Sequence, residues 1–127
     1  MLLSDIKSTL TAQVLTGESE KELCETEIHT ACGCDLMSDV LAFVKDQTLL
    51  LTGLINSQVI RTAEMMDIAA VCFVRGKVPP ADVIGLAREK NIVLLATEYP
   101  LYAACGMLYE KGLGGRSGGS SVSDSRQ

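Results

Sequence analysis

Tryptophan is absent from this 127-residue sequence, and Phe and Tyr together contribute only five residues. Apolar residues nevertheless make up 47% of the chain. A hydrophobic core must therefore be built from aliphatic side chains, because large aromatic rings are too few to fill it. The length corresponds to one domain of ordinary size.

Positive charge is also scarce, with 11 Lys and Arg against 16 Asp and Glu and a net charge of −5. Nucleic-acid and anionic membrane surfaces attract basic patches, so we expect neither as a partner. No apolar run reaches the roughly 18 residues of a membrane span. The N-terminal residues, Met1 to Asp5, place no basic region ahead of an apolar stretch. We expect a cytoplasmic protein in which the five cysteines are reduced thiols.

Catalytic motifs are missing as well. No Gly-x4-Gly-Lys-Ser/Thr phosphate loop and no Gly-x-Ser-x-Gly nucleophile elbow occur, and His29 is the one histidine. A catalytic triad or a phosphate-transfer site therefore lacks its essential parts. We predict a protein that is not an enzyme, hydrolyses no ATP, phosphorylates no protein and uses no cofactor.

A regular alternation of strands and helices begins at residue 48. Nearly continuous apolar strands are predicted over 48–54, 69–74 and 92–96, with an amphipathic helix after each. The helix-start signals are Asn56 or Ser57, Pro79-Pro80, and Thr97 with Pro100. Such strands are typical of a parallel sheet covered on both faces, with right-handed crossovers. We predict an α/β fold, a single three-layer domain with a mostly parallel central sheet flanked by helices.

The first part of the chain is less regular. The predicted elements are a helix over 4–10 capped by Ser4, a strand over 12–16, an acidic loop over 18–27 and an extended stretch over 28–31. A further helix, with Ser38 as its cap, has an apolar face of Val40, Leu41, Phe43 and Val44. From residue 114 to 127 the sequence is rich in Gly and Ser and nearly free of apolar residues. We predict an α/β domain over 1–113 and a flexible tail over 114–127.

Three polar clusters follow the three regular strands, at what should be one edge of the sheet. In open parallel sheets, ligands bind outside the carboxyl ends of the strands and near helix N-termini. The predicted ligand-binding residues, suited to a phosphate or carboxylate, are Thr52, Gly53, Asn56, Ser57, Arg75, Gly76 and Thr97. The alternative interpretation is that the Thr and Asn side chains only cap helices and that Arg75 is solvated.

A second candidate site is the sequence His29-x2-Cys32-x-Cys34, with Cys24 upstream. Soft ligands this close in sequence suit zinc or an iron–sulfur cluster, or a redox-active thiol pair. The Cys-x-Cys spacing is shorter than the Cys-x2-Cys of common metal sites. A structural turn at Gly33 with unligated thiols explains the same residues.

Several stretches resemble the DRTGG domain, a module near HPr kinase N-terminal domains and within phosphotransacetylases and CBS-domain pyrophosphatases. They are Leu-Leu-Leu-Thr-Gly at 49–53, Ala-Ala-Val-Cys-Phe-Val-Arg-Gly at 69–76 and Ile-Val-Leu-Leu-Ala-Thr-Glu-Tyr at 92–99. The stretch Ala-Cys-Gly-Cys-Asp-Leu-Met-Ser-Asp-Val-Leu-Ala-Phe at 31–43 resembles the small stand-alone branch of that family.

The resemblance implies a regulatory or assembly module that forms a homodimer. It also implies service to a larger enzyme or regulatory complex, since stand-alone members are often encoded beside iron-only hydrogenases. Together with the polar strand ends, this predicts a non-catalytic module that senses a small anionic metabolite. The alternative is a redox or metal accessory protein, with iron–sulfur or zinc, acting through Cys32 and Cys34.

Overall fold

The computed structural model describes residues 1–43 and 47–114. The elements in chain order are α1 (Leu3–Leu10), β1 (Gln13–Val14), α2 (Glu20–Cys24), β2 (Thr30–Gly33), α3 (Met37–Phe43), β3 (Thr48–Thr52), α4 (Ser57–Met65), β4 (Ala70–Phe73), α5 (Ala81–Glu89), β5 (Val93–Ala96) and α6 (Leu101–Glu110).

The strands form one five-stranded sheet in the order β1-β5-β4-β3-β2. Strands β2 to β5 are parallel to their neighbours, and only the short edge strand β1 runs antiparallel, against β5. The register sets Leu50 beside Cys32 on one side and Val71 on the other. The predicted fold class, a three-layer α/β domain with a mostly parallel sheet, is confirmed.

Each face of the sheet carries its own apolar cluster. Leu49 and Leu51 of β3 pack in the cluster that includes α1 and α6, whereas Leu50 between them packs in the cluster that includes α3, α4 and α5. Successive side chains of a strand point to opposite faces. The continuous apolar run of β3 therefore follows directly from cover on both faces.

The three helices on one face follow from the strand order. Strands β2, β3, β4 and β5 are neighbours in chain order, so each crossover moves one strand further in the same direction. Crossovers of one hand that all advance the same way place their helices on the same side of the sheet. Helices α3, α4 and α5 accordingly share one cluster.

Helix caps were predicted with mixed success. Asn56 caps α4, since its Oδ1 accepts a hydrogen bond of 3.1 Å from the Gln58 backbone N–H. The predicted Ser4 cap is wrong, because Leu2 takes the cap position and Ser4 is buried inside α1. The predicted Ser38 cap is also wrong, since α3 already begins at Met37.

The loop predicted over 18–27 contains the short helix α2, so that prediction is wrong in its centre. Ser19 and Glu22 form a reciprocal capping box: the Ser19 hydroxyl accepts from the Glu22 N–H, and the Glu22 carboxylate accepts from the Ser19 N–H. Leu23 is the residue that anchors α2, because it is almost completely buried. Its acidic neighbours remain on the solvent side.

The predicted apolar face of α3 is only partly correct. Val40 is fully buried, but Leu41 is 44% exposed and faces outwards. The Phe43 side chain and Val44 lie outside the described residues.

The described chain ends in a contact with the edge strand β2. The Gly114 carbonyl accepts hydrogen bonds from the Ala31 N–H (3.0 Å) and the Thr30 hydroxyl (2.8 Å). The rest of the predicted tail, residues 115–127, lies outside the described part of the chain. Within residues 1–43 and 47–114, no helix has the length and apolar character needed to cross a membrane.

Candidate functional site

Parallel register brings the predicted ligand-binding residues to one edge of the sheet. Thr52 pairs with Phe73, and Phe73 pairs with Ala96, so the three strands end side by side. Gly53 and Thr97 directly follow the ends of β3 and β5, and Arg75 is the second residue after the end of β4. The polar groups at this edge are not all free, however, and their partners decide which of them can meet a ligand.

Two of the groups expected to donate hydrogen bonds to an anion already donate to Asp35. Its Oδ1 accepts hydrogen bonds from the Gly53 backbone N–H (2.7 Å) and the Thr52 hydroxyl (2.9 Å). The Thr52 oxygen in turn accepts from the Leu54 N–H at 3.1 Å. Sequence reasoning did not select Asp35 as a site residue, because nothing local marks a bond made 18 residues away.

The surroundings of Asp35 favour its ionised form. The hydrogen bond from Gly53 lowers the pKa of the Asp35 carboxyl, and the Thr52 hydroxyl, Arg75 and Lys77 lower it further against an opposing effect of burial. Hydrogen bonds and cations that favour the charged form act in this direction. The edge therefore stabilises a negative charge, and in this structure that charge belongs to the protein.

The residues after β4 form a tight turn of type I′. Arg75 and Gly76 both have positive φ, at 59° and 69°, and the Lys77 N–H donates to the Val74 carbonyl at 3.2 Å. The Arg75 N–H donates to the Tyr99 carbonyl and the Gly76 N–H to the Thr97 carbonyl, each at 2.9 Å. These amides are bonded within the protein, so the turn can offer a ligand its side chains but not these two amides.

The Arg75 guanidinium lies across Gly53. Its Nη2 is 3.0 Å from the point where a Cβ of Gly53 would lie, and both carboxylate oxygens of Asp35 are 3.7 Å from that point. Among the described residues, neither Arg75 nor Lys77 has a carboxylate within ion-pair distance. The absence of a side chain at position 53 thus leaves room for an unpaired cation beside an anion.

Thr97 has a structural role that the sequence did not reveal. Only 2% of the residue is exposed. Its hydroxyl donates to the Leu10 carbonyl (2.7 Å) and accepts from the Tyr99 N–H (3.3 Å). Thr97 therefore ties the end of β5 to the end of α1 and presents no free group to a ligand.

The start of α4 agrees with the capping interpretation. The exposed Asn56 side chain serves as the cap, and Ser57 is the first residue of the helix. Backbone N–H groups in the first turn of a helix have no intrahelical partner and favour anions. Helix α4 starts four residues after Gly53 in the chain.

The proposed metal ligands are not brought together. His29 precedes β2 while Cys32 lies near its other end, a separation of about 10 Å at roughly 3.3 Å per strand residue. Cys34 bonds locally, with its sulfur 3.3 Å from the Leu36 N–H and 3.2 Å from the Leu36 carbonyl. Across residues 1–43 and 47–114, no three His, Cys, Asp or Glu side chains are grouped so as to hold a metal.

Two of the thiols near β2, Cys32 and Cys105, are in surroundings that disfavour the thiolate. Burial raises the pKa of the Cys32 thiol, and the neighbouring Cys34 and Cys105 raise it further. Burial also raises the pKa of Cys105. The thiolate is the reactive form of cysteine, so a raised pKa reduces reactivity at neutral pH.

Gly33 is required by the close approach of Cys105. A Cβ at position 33 would lie 2.5 Å from the Cys105 Sγ. We expect Gly33→Ala to lower the free energy of unfolding by about 1–3 kcal/mol, the usual range for overpacking. Urea unfolding measures this directly.

A matched control is Gly85→Ala in α5, where nothing lies within 4 Å of the added Cβ. This change should be neutral or stabilise the helix, because alanine favours helix over glycine. The double variant Gly33→Ala with Cys105→Ala should recover much of the loss. Equal stability of Gly33→Ala and the wild type would show that the contact relaxes freely.

A cleft of about 490 Å³ lies away from this edge. Its lining includes one predicted site residue, His29, and none of the predicted anion ligands. The lining residues are Met1, Asp5, Glu27, Ile28, His29, Lys111, Gly112 and Leu113.

The strand order leaves the carboxyl edge without the usual binding crevice. Ligand crevices of open α/β sheets form where the strand order reverses and neighbouring loops diverge to opposite faces. Strands β2 to β5 run in sequence with no reversal. A ligand at this edge would therefore be held on an open surface by charged side chains and not within a deep groove.

Comparison with known proteins identifies the fold but no family. No protein-family description and no curated protein match the sequence. The fold is similar to the crystal structure of the CBS and DRTGG domains of the regulatory region of Clostridium perfringens pyrophosphatase, complexed with its activator diadenosine tetraphosphate. The TM-score is 0.66 at 15% sequence identity. The match covers 84% of this chain and 45% of the pyrophosphatase chain, so this protein spans less than half of that neighbour.

Proposed function

We propose that this chain is a non-catalytic regulatory or assembly module that binds a small anionic metabolite at the carboxyl edge of β3, β4 and β5. The observation that carries the proposal is the Arg75 guanidinium, held over Gly53 without an ion-pair partner among the described residues. A backbone in the left-handed region costs a residue other than glycine roughly 1–2 kcal/mol. Such strain is often retained where it positions a functional side chain.

The structural neighbour supports a regulatory role. That protein region is regulatory, and its structure holds a polyphosphate dinucleotide activator. The shared fold makes a similar role for this chain a reasonable proposal. The anion-binding groups are inferred from this chain's own residues.

Hydrogen bonds within the protein reduce the number of donors that such an anion could use. Arg75 and Lys77 supply charge, and the Ser57 N–H at the start of α4 supplies one backbone donor, because the Gln58 and Val59 N–H groups are already bonded to Asn56. The amide of Gly76 and the hydroxyl of Thr97 are bonded elsewhere in the protein. We therefore place the anion nearer to Gly53 and α4 than to the end of β5.

Arg75→Ala should weaken the binding of an anion such as pyrophosphate by about 10-fold to 150-fold. Loss of one charge-assisted hydrogen bond corresponds to about 1.5–3 kcal/mol. Isothermal titration calorimetry gives the affinity, and NMR mapping of amide shifts gives the location. Arg75→Lys should retain part of the affinity, since the charge remains but the paired geometry is lost.

Arg61→Ala is the control, because Arg61 is an exposed arginine further along α4 with no ion pair among the described residues. It changes the net charge equally and should alter affinity by less than about threefold, given the screening of exposed charges. Equal weakening by the two variants, or shifts clustered beside Cys32, would contradict this site.

We also propose that the module is a homodimer that pairs through the outer face of α6. Tyr102 and Tyr109 lie seven residues apart on that helix, 92% and 73% exposed, with the exposed Gly106 between them. Exposed tyrosines are typical of interface cores, and no charged residue interrupts this stripe. The missing side chain at Gly106 would let two copies of α6 cross closely about a two-fold axis.

The wider setting follows the sequence resemblance. We propose a cytoplasmic protein that acts beside a larger enzyme or regulatory complex, for which an iron-only hydrogenase system is the candidate. The redox or metal alternative through Cys32 and Cys34 has weaker support, because burial raises the pKa of Cys32 and His29 lies at the other end of β2. Metal analysis of freshly isolated protein separates these two functions.

A further inference from the structure

We infer that Asp35 is an internal competitor for the anion site, and that a phosphate group binds by displacing its carboxylate from Thr52 and Gly53. This rests on the proposed function and extends it to the ligand class and its regulation. The ligand would be a phosphate ester or polyphosphate.

The carboxylate of Asp35 and the guanidinium of Arg75 converge on the same space. The position that a Cβ of Gly53 would take is 3.0 Å from the Arg75 Nη2 and 3.7 Å from each carboxylate oxygen of Asp35. Asp35 uses one oxygen, Oδ1, for both the Gly53 amide and the Thr52 hydroxyl. Its Oδ2 accepts no hydrogen bond from the residues that the structure describes.

A phosphate group fits these donors more completely than the carboxylate does. Its three terminal oxygens can accept from the Thr52 hydroxyl, the Gly53 amide and the Arg75 guanidinium together. Asp35 satisfies only the first two. An external carboxylate would offer no more than Asp35 already supplies, so it should not displace an intramolecular group of the same chemistry.

The donors at Thr52 and Gly53 and their acceptor, Asp35, differ in their freedom to move. Thr52 is fully buried at the end of a central strand, whereas Asp35 is exposed on the short connection between β2 and α3. The Thr52 hydroxyl and Gly53 amide are thus fixed donors, and Asp35 can swing into solvent. While it stays, its negative charge offsets Arg75 and Lys77, and it excludes weakly bound anions.

The test compares Asp35→Asn with wild type, using inorganic pyrophosphate as the probe in isothermal titration calorimetry. Asparagine keeps the shape and an acceptor oxygen but removes the charge, so the fold should persist. We expect pyrophosphate to bind Asp35→Asn about 10-fold or more tighter, the size of effect associated with one charge-assisted hydrogen bond.

Asp39→Asn is the matched control. Asp39 lies in the first turn of α3, and no hydrogen bond joins it to Thr52 or Gly53 in the described residues. The Asp39→Asn variant has the same change in net charge as Asp35→Asn. Its affinity for pyrophosphate should stay within about threefold of the wild-type value, because only an exposed charge is altered. A thermal melt of each variant confirms that both are folded.

The outcomes distinguish this inference from the proposed function. If the wild type binds pyrophosphate, Arg75→Ala weakens it, and Asp35→Asn binds no tighter than Asp39→Asn, then Asp35 is not a competitor although the site stands. If Asp35→Asn binds tighter but the Gly53 amide resonance does not shift on titration, displacement is wrong. If no variant binds and Arg75→Ala changes nothing, both proposals fail.

Discussion

Thr97→Val is expected to lower the free energy of unfolding by about 2–4 kcal/mol, although valine has nearly the same shape. The change removes a buried hydroxyl that serves two backbone groups, the Leu10 carbonyl and the Tyr99 N–H. Each buried polar group left without a partner costs about 1–3 kcal/mol. Urea unfolding followed by circular dichroism measures the loss.

Thr62→Val provides the comparison. Thr62 is also buried, in α4, and its hydroxyl makes no hydrogen bond that appears among residues 1–43 and 47–114. The same chemical change should therefore shift stability by less than about 1 kcal/mol, as is usual where no such group is lost. If the two variants are equally stable, Thr97 does not connect β5 to α1 in the way the geometry indicates.

Gly106→Arg should convert the proposed dimer into a monomer. An arginine at this position would insert a long, charged side chain between the two tyrosines and prevent close crossing of paired helices. The mass measured by sedimentation velocity at micromolar concentration should fall from twice the 13.6 kDa of one chain to that of a single chain. The fold should remain, since nothing lies within 4 Å of a Cβ at position 106.

The control for this experiment is Gly85→Arg on α5, which adds the same side chain to a helix on the other face of the sheet. It should leave the dimer intact. A wild-type protein that sediments as one chain at physiological salt would overturn the dimer itself. A Gly106→Arg variant that stays dimeric would place the interface elsewhere.

The regular half of the fold was predictable because its local signals agree with its tertiary environment. Strands β3, β4 and β5 are buried on both faces, so their sequences are apolar apart from the threonines at the two ends of β3. Asn56 and Pro80 mark the starts of α4 and α5, and both helices begin where expected. Local propensity, periodicity and cap chemistry all indicated the same elements.

The first third was harder because short elements depend on single residues. In α2 the acidic run suggested a loop, yet Ser19 and Glu22 carry a capping-box signal that was available in the sequence. Leu23 is the one buried residue of α2, and a single apolar position cannot produce the helical periodicity that would reveal the helix in the sequence. At α1 the serine that resembled a cap is the second residue of the helix, where its small side chain fits a buried position.

The site could be located by topology but not assigned residue by residue. The edge where Thr52, Arg75 and Thr97 meet follows from parallel strands alone. The partners of these groups do not, because Asp35 is 18 residues from Gly53 and Leu10 is 87 residues from Thr97. The sequence does not distinguish a threonine whose hydroxyl binds a ligand from one whose hydroxyl forms hydrogen bonds to two backbone segments.

The sequential strand order also has a kinetic consequence. Each unit from β2 to β5 joins neighbours in the chain through one helix, so these contacts close short loops and can form early. The opposite layer must instead unite α1 with α6, which lie at opposite ends of the described chain yet contact one another. Ordering of that layer closes the longest loop, and it should be the slowest step of folding and the first to be lost in partial opening.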